Sequence, residues 1–180
     1  MKRLFFLLLI TAFVLPYAAA QQAAAAEVSF TFTRQGGRAS NQFAVWVETA
    51  DGRYIRTLYA ARWTAGGGWR RRPTSIPVWV SRSGLSEKTR EQVDALSGAT
   101  GQTGRRAFVW DGTDSAGSPV PPGNYVVFVE GTLRWENQVL FRAPVTIGQG
   151  PAAADVSVEF TGASTAERGM LTGVSVRSLR

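Results

Sequence analysis

Strict alternation of apolar and polar residues is the feature that most restricts what this chain can fold into. Val28, Phe30 and Phe32 alternate with Ser29, Thr31 and Thr33, the period-two pattern of a strand with one face on a core and the other toward water. A more apolar run from Phe43 to Val47 reads as a central strand. Asp51-Gly52 then turns the chain into residues 54–59, a dipeptide typical of tight hairpins. Further strands are expected over residues 76–80, 106–110, 125–130, 133–145 with interruptions, 156–160 and 171–179. In the first of these, Pro77 suits an edge or an entry point. Roughly eight short strands divided by turn signals predict an all-β sandwich.

One segment departs from that pattern. Ser86 reads as an N-cap, Glu87 places an acid in the first turn, and Thr89, Val93 and Leu96 share a face. A short inserted helix over residues 86–96 follows. Residues 97–104 are small and polar, with Gly98 or Gly101 available as the helix stop, and read as loop. The glycine-rich stretch Gly66-Gly67-Gly68, running into Trp69-Arg70-Arg71-Arg72-Pro73, reads as a mobile exposed loop.

The N-terminus has the layout of an export signal. Lys2 and Arg3 precede twelve residues from Leu4 to Leu15 that are apolar except for Thr11, and Pro16 and a run of alanines follow. A helix needs about 20 apolar residues to span a bilayer, so the segment is expected to be a cleaved signal peptide, residues 1–26. Cleavage after Ala20 and after Ala26 both fit, and the start of strand-like sequence at Val28 favours Ala26. The remainder, residues 27–180, is long enough for a single domain with a real core. No cysteine is present, so packing rather than disulfide bonding must hold an exported fold together. A periplasmic location without a further membrane span is expected.

Composition also bears on chemistry. The chain has 20 basic and 13 acidic residues, and loss of Lys2 and Arg3 leaves a net charge of +5. That scattered, mostly arginine excess does not point to nucleic acid. With no histidine and no cysteine, imidazole bases, thiol nucleophiles and their metal sites are unavailable. No catalytic residue and no metal site is expected, and the chain is not expected to be an enzyme. Trp69, Arg70, Arg71 and Arg72 form either a ligand or anion loop or simply a solvated charged one. Trp46, Trp79 and Trp110 lie in strand patterns and are expected in the core; Trp63, Trp69 and Trp135 lie nearer loops.

Two resemblances add to this reading. The segment Trp110-Asp111-Gly112, with Asp114, Gly117, Pro119-Val120-Pro121, Gly123 and Tyr125, resembles the immunoglobulin-like domain of flagellar hook-capping proteins. It implies an immunoglobulin-like sandwich in which Asp111 and Asp114 fold the turn, or hold calcium. Across the mature length the order of features resembles the predicted periplasmic domain-of-unknown-function family 2271. The features are Asn41-Gln42-Phe43-Ala44-Val45-Trp46, Thr57-Leu58-Tyr59, Trp69-Arg70-Arg71-Arg72-Pro73, Asp94-Ala95-Leu96-Ser97-Gly98-Ala99-Thr100 and the Trp110 segment. Members are often encoded beside FAD:protein FMN transferases and PepSY-type membrane proteins, which implies redox partners.

Asp94-Ala95-Leu96-Ser97-Gly98-Ala99-Thr100 itself resembles the acceptor motif that FMN transferases modify. The likeness implies covalent FMN on Thr100, Asp94 as a recognition group, and Ser97, Gly98 and Ala99 as the small, bendable neighbours an acceptor needs. Ala95 stands where such motifs often carry glycine, and Gln102 where they usually carry Thr or Ser. The same residues also read as a helix-terminating surface loop. Two functions follow: an accessory in extracytoplasmic electron transfer, or a cell-envelope binding or assembly module.

Overall fold

The computed structural model describes residues 24–162, 165 and 167–180. The export signal falls on residues 1–23, outside the described residues, except for its last alanines. Two sheets carry the fold. Strands β1 (Ala26–Phe32), β5 (Gly104–Trp110), β8 (Ala152–Ala153) and β10 (Leu171–Ser178) make a sheet in the order β5-β1-β10-β8. The second sheet contains β2 (Gln42–Thr49), β3 (Tyr54–Ala61), β4 (Ser97–Gly98), β6 (Gly123–Arg134), β7 (Asn137–Ile147) and β9 (Ser157–Thr161). Its order is β4-β3-β2-β6-β7-β9. All neighbours are antiparallel except the short β3–β4 pair.

The alternation resolves as expected. Val28, Phe30 and Phe32 of β1 meet Phe43, Val45 and Val47 of β2 and Val127 and Val129 of β6 in a buried inter-sheet core. Burial of each such side chain contributes about 1.5–3 kcal/mol. Trp110 closes this core with Tyr125 edge-on at 5.0 Å. Its indole N–H donates to the Thr113 carbonyl at 2.8 Å, and Tyr125 Oη donates to the Pro121 carbonyl at 2.6 Å. The aspartates of this connection stabilise turns. Asp111 Oδ1 accepts from Thr113 N and Oγ1, and Asp114 Oδ1 from Ala116 N and Ser118 N. Burial pushes the Asp111 carboxyl up, but the Thr113 bonds and Arg56 outweigh it and hold it below the usual carboxylate range.

The even-numbered residues of β2 face outward yet are also buried, because residues 62–96 fold over that side as a third layer. Ala44, Trp46 and Ala60 pack there with Ala65, Ile76, Trp79 and Leu85. Three expectations are corrected in this layer. Residues 76–80 are not a strand: α2 (Pro77–Arg82) is a helix, with Pro77 in its first turn where the missing N–H costs nothing. Val78 N and Trp79 N donate to Glu130 Oε1 and Oε2 at 3.0 and 2.7 Å, so a buried carboxylate caps the turn. The glycine-rich stretch is not a free loop but an irregular helical turn, Thr64–Gly68, continuous with α1 (Trp69–Arg71), and Thr64, Ala65 and Gly68 are buried. A Cβ on Gly68 would run into the Trp63 carbonyl and indole. Finally, the expected helix is present as α3 (Arg90–Leu96), but its N-cap is Thr89, not Ser86. Thr89 and Gln92 form a reciprocal capping box, and Ser86 belongs to a separate single turn, Leu85–Glu87. The insertion therefore carries more than the one short helix.

Polar groups on the outer sheet face hold this layer. Ile76 N donates to Thr132 Oγ1 at 2.7 Å, Trp79 Nε1 to Thr57 Oγ1 at 2.8 Å, and Thr64 Oγ1 to Gln42 Oε1 at 3.0 Å. Among the described residues no helix is long and apolar enough to cross a membrane.

Candidate functional site

The candidate acceptor segment leaves α3, whose Val93 and Leu96 lean on the outer core. It then makes a two-residue parallel bridge, Ser97 opposite Ala60 and Gly98 opposite Ala61. Residues 99–103 cross from there to β5. β4 is one edge of the six-stranded sheet and β5 one edge of the four-stranded sheet, so the loop straddles the open end of the sandwich.

Tyr59 organises this end. Val45 lies opposite Tyr59 but Trp46 opposite Thr57, so Leu58 is the extra residue of a bulge. The bulge turns Tyr59 inward while Thr57 serves the outer layer. The Tyr59 ring stacks on Phe43 at 4.7 Å and leans on Phe108 at 5.2 Å. Its hydroxyl reaches the carbonyls of Gly98 and Ala99, both at 3.2 Å, and interacts with the Thr100 hydroxyl. Burial raises the Tyr59 phenol above its usual value, while Arg106, Thr100 and Arg62 pull it down. Gly98 lies so close that a Cβ there would sit 2.9 Å from the Tyr59 ring. Thr100 is half-buried and Ala99 exposed, and the Ser97 hydroxyl is buried without a hydrogen-bond partner.

The residues singled out in the sequence separate into three places. Ala99 and Gly101, the neighbours of Thr100, line a cleft of about 370 Å³ with Tyr59, Phe108, Phe43, Arg105 and Arg106; Thr100 and Gly98 themselves do not line it. Asp94 lies elsewhere, exposed, 4.0 Å from Arg90. It shares with Trp69 and Arg70 a second cleft, of about 430 Å³, so the far end of the motif and the start of the arginine run face one groove. Arg70 stacks on Trp69 at 4.6 Å. Arg71 is exposed. Arg72 turns the other way, its guanidinium 5.3 and 5.2 Å from the rings of Trp63 and Trp135, and donates to Ser40 Oγ at 3.2 Å. Trp46, Trp79 and Trp110 are fully buried, whereas Trp63 and Trp135 are 43% and 49% exposed.

Tyr59, Arg106 and Phe108 are the site residues that sequence reading missed. The signal was the Arg105-Arg106 pair directly after the candidate acceptor loop, which the strand pattern absorbed. Among the described residues no group of three or more acidic side chains is arranged to hold a metal ion. Aromatic rings and a guanidinium line the cleft next to the loop.

These features define an exported-type, cysteine-free β-sandwich with a helical third layer and an aromatic, cationic cleft at one end. The family model described as "Predicted periplasmic protein (DUF2271)" matches residues 24–165, and the chain belongs to that family. It is therefore a periplasmic protein. No curated protein and no solved structure matches it.

Proposed function

We propose that this protein is a non-catalytic accessory of extracytoplasmic electron transfer that carries FMN as a phosphoester on Thr100. The setting of Thr100 carries the reading: it is a hydroxyl between small residues, in a loop whose Gly98 and Ala99 carbonyls accept from one tyrosine, next to a cleft lined by a guanidinium and aromatic rings. A transferase using FAD would join Thr100 Oγ to the FMN phosphorus, release AMP and take up the hydroxyl proton. Bound FMN supplies one- and two-electron transfer, and the protein supplies orientation and electrostatics. The electron partner would be a PepSY-type membrane protein. Thr100 is half-buried, so the loop must lift for modification. That breaks the weak Tyr59 contacts and the two-residue bridge, about 0.5–1.5 kcal/mol per hydrogen bond.

Intact-mass spectrometry of the protein co-exported with its FMN transferase tests this. The expected result is an adduct of FMN less water, absent in Thr100→Ala. A bare mature mass beside an active transferase refutes it. A second reading, an envelope-binding module, draws on the Trp63–Arg72–Trp135 stack, because exposed indoles around a guanidinium suit sugar faces and anionic groups. Co-sedimentation with peptidoglycan sacculi that is lost in Trp135→Ala would favour it, and a protein that stays in the supernatant would dispose of it.

A further inference from the structure

Arg106 is out of place for a structural residue. On β5 the exposed positions are Arg105, Ala107 and Val109, and the alternate positions Arg106, Phe108 and Trp110 face the sandwich. Arg106 is thus a half-buried cation on the core-facing side. Among the described residues its guanidinium donates to the Gln102 carbonyl and lies over the face of Phe32 at 6.0 Å, with no carboxylate at ion-pair distance. A positive charge taken partly out of water normally has a counter-charge. The guanidinium lies against Gly101, where a Cβ would displace it, one residue from Thr100. The rings of Tyr59 and Phe108 continue the wall, 5.2 Å apart between centroids. The cleft, about 370 Å³, is near the lower end of ligand pockets, roughly 300–1,000 Å³.

We infer that this cleft binds a flat aromatic phosphate: Arg106 takes the phosphate as its missing counter-charge, and Tyr59 with Phe108 takes the ring system. The choice of FMN as the ligand rests on the function proposed above; the cleft itself does not depend on Thr100 being modified. Arg106 is here a binding residue, and Tyr59 links the cleft to the acceptor loop through the Gly98 and Ala99 carbonyls. An alternative purpose for an inward charge on an edge strand is to discourage pairing with another chain. That role predicts no ligand.

The test uses unmodified mature protein, produced without a transferase and titrated with FMN and with riboflavin, which lacks the phosphate. Flavin fluorescence reports binding. FMN should bind about tenfold or more tightly than riboflavin, since a charge-assisted bond to phosphate is among the stronger hydrogen bonds. Arg106→Gln should erase the difference, and Arg106→Lys should keep part of it. Thermal melts of each variant check folding. Equal binding of both flavins, no binding of FMN, or a preference that survives in folded Arg106→Gln overturns the inference. Failure of covalent modification appears separately, as a missing mass adduct with the FMN preference unchanged.

Discussion

Glu130 is 1% exposed, and burial raises its carboxyl from 4.5 to about 7 even though Val78 N and Trp79 N donate to it. The folded state therefore holds this proton more tightly than the unfolded chain. Stability from the group is complete below about pH 4.5 and is lost as the pH rises through about 7. Because the folded protein binds more protons in that window, the slope of unfolding free energy against pH is negative. The shift corresponds to roughly 3 kcal/mol across the window, at 1.36 kcal/mol per unit. Glu130→Gln removes the titration and leaves one amide N–H₂ facing a backbone donor, a cost on the order of 1–3 kcal/mol. The variant should be less stable than the wild type near pH 5 and should close or reverse that gap by pH 8. Urea unfolding of both proteins at half-unit steps from pH 5 to 8 measures this. If the difference between the two proteins is flat across the window, Glu130 is not the titrating group and the reasoning fails.

Two other changes probe the same architecture. Trp79→Ala empties a fully buried site and leaves Thr57 Oγ1 only its bond to Tyr54 Oη, so it should cost about 3–5 kcal/mol and make residues 62–96 the first point of protease cleavage. Limited proteolysis with mass mapping reads both effects. The mature N-terminus should lie ahead of Ala25, because Ala25 N donates to the Trp110 carbonyl at 2.7 Å and its own carbonyl accepts from Leu179 N at 2.8 Å. Cleavage after Ala20 keeps these bonds, whereas cleavage after Ala26 removes both, and N-terminal sequencing of the exported protein decides.

The sandwich was legible because its strands alternate and its turns announce themselves, as Asp51-Gly52 and the residues after Trp110 do. The third layer was not, because its anchors lie outside its own sequence. Val78, Trp79 and Val80 look like strand residues until Glu130, some fifty positions away, supplies the carboxylate that caps them. Ser86 looked like the cap because it precedes an acid; the Thr89–Gln92 box is equally visible, and Lys88 in extended conformation separates the two turns. Thr100 was found by its neighbours in sequence, but its surroundings were not. A one-residue bulge at Leu58 reverses which side Tyr59 faces, and period-two reading cannot anticipate an extra residue.

The loop that carries Thr100 is also a tether. It runs from Gly98 on one sheet's edge to Gly104 on the other's, six peptide links that extend to roughly 20 Å at most. Facing sheets stand about 10 Å apart, so the slack is limited. A wide group lodged between the edges would draw the tether taut, whereas the same group hung outside would leave it loose. Occupancy of the end cleft would thus be felt as tension in the backbone at Thr100. Proteolytic susceptibility at Gln102 and Thr103 becomes a gauge of whether something sits beneath them.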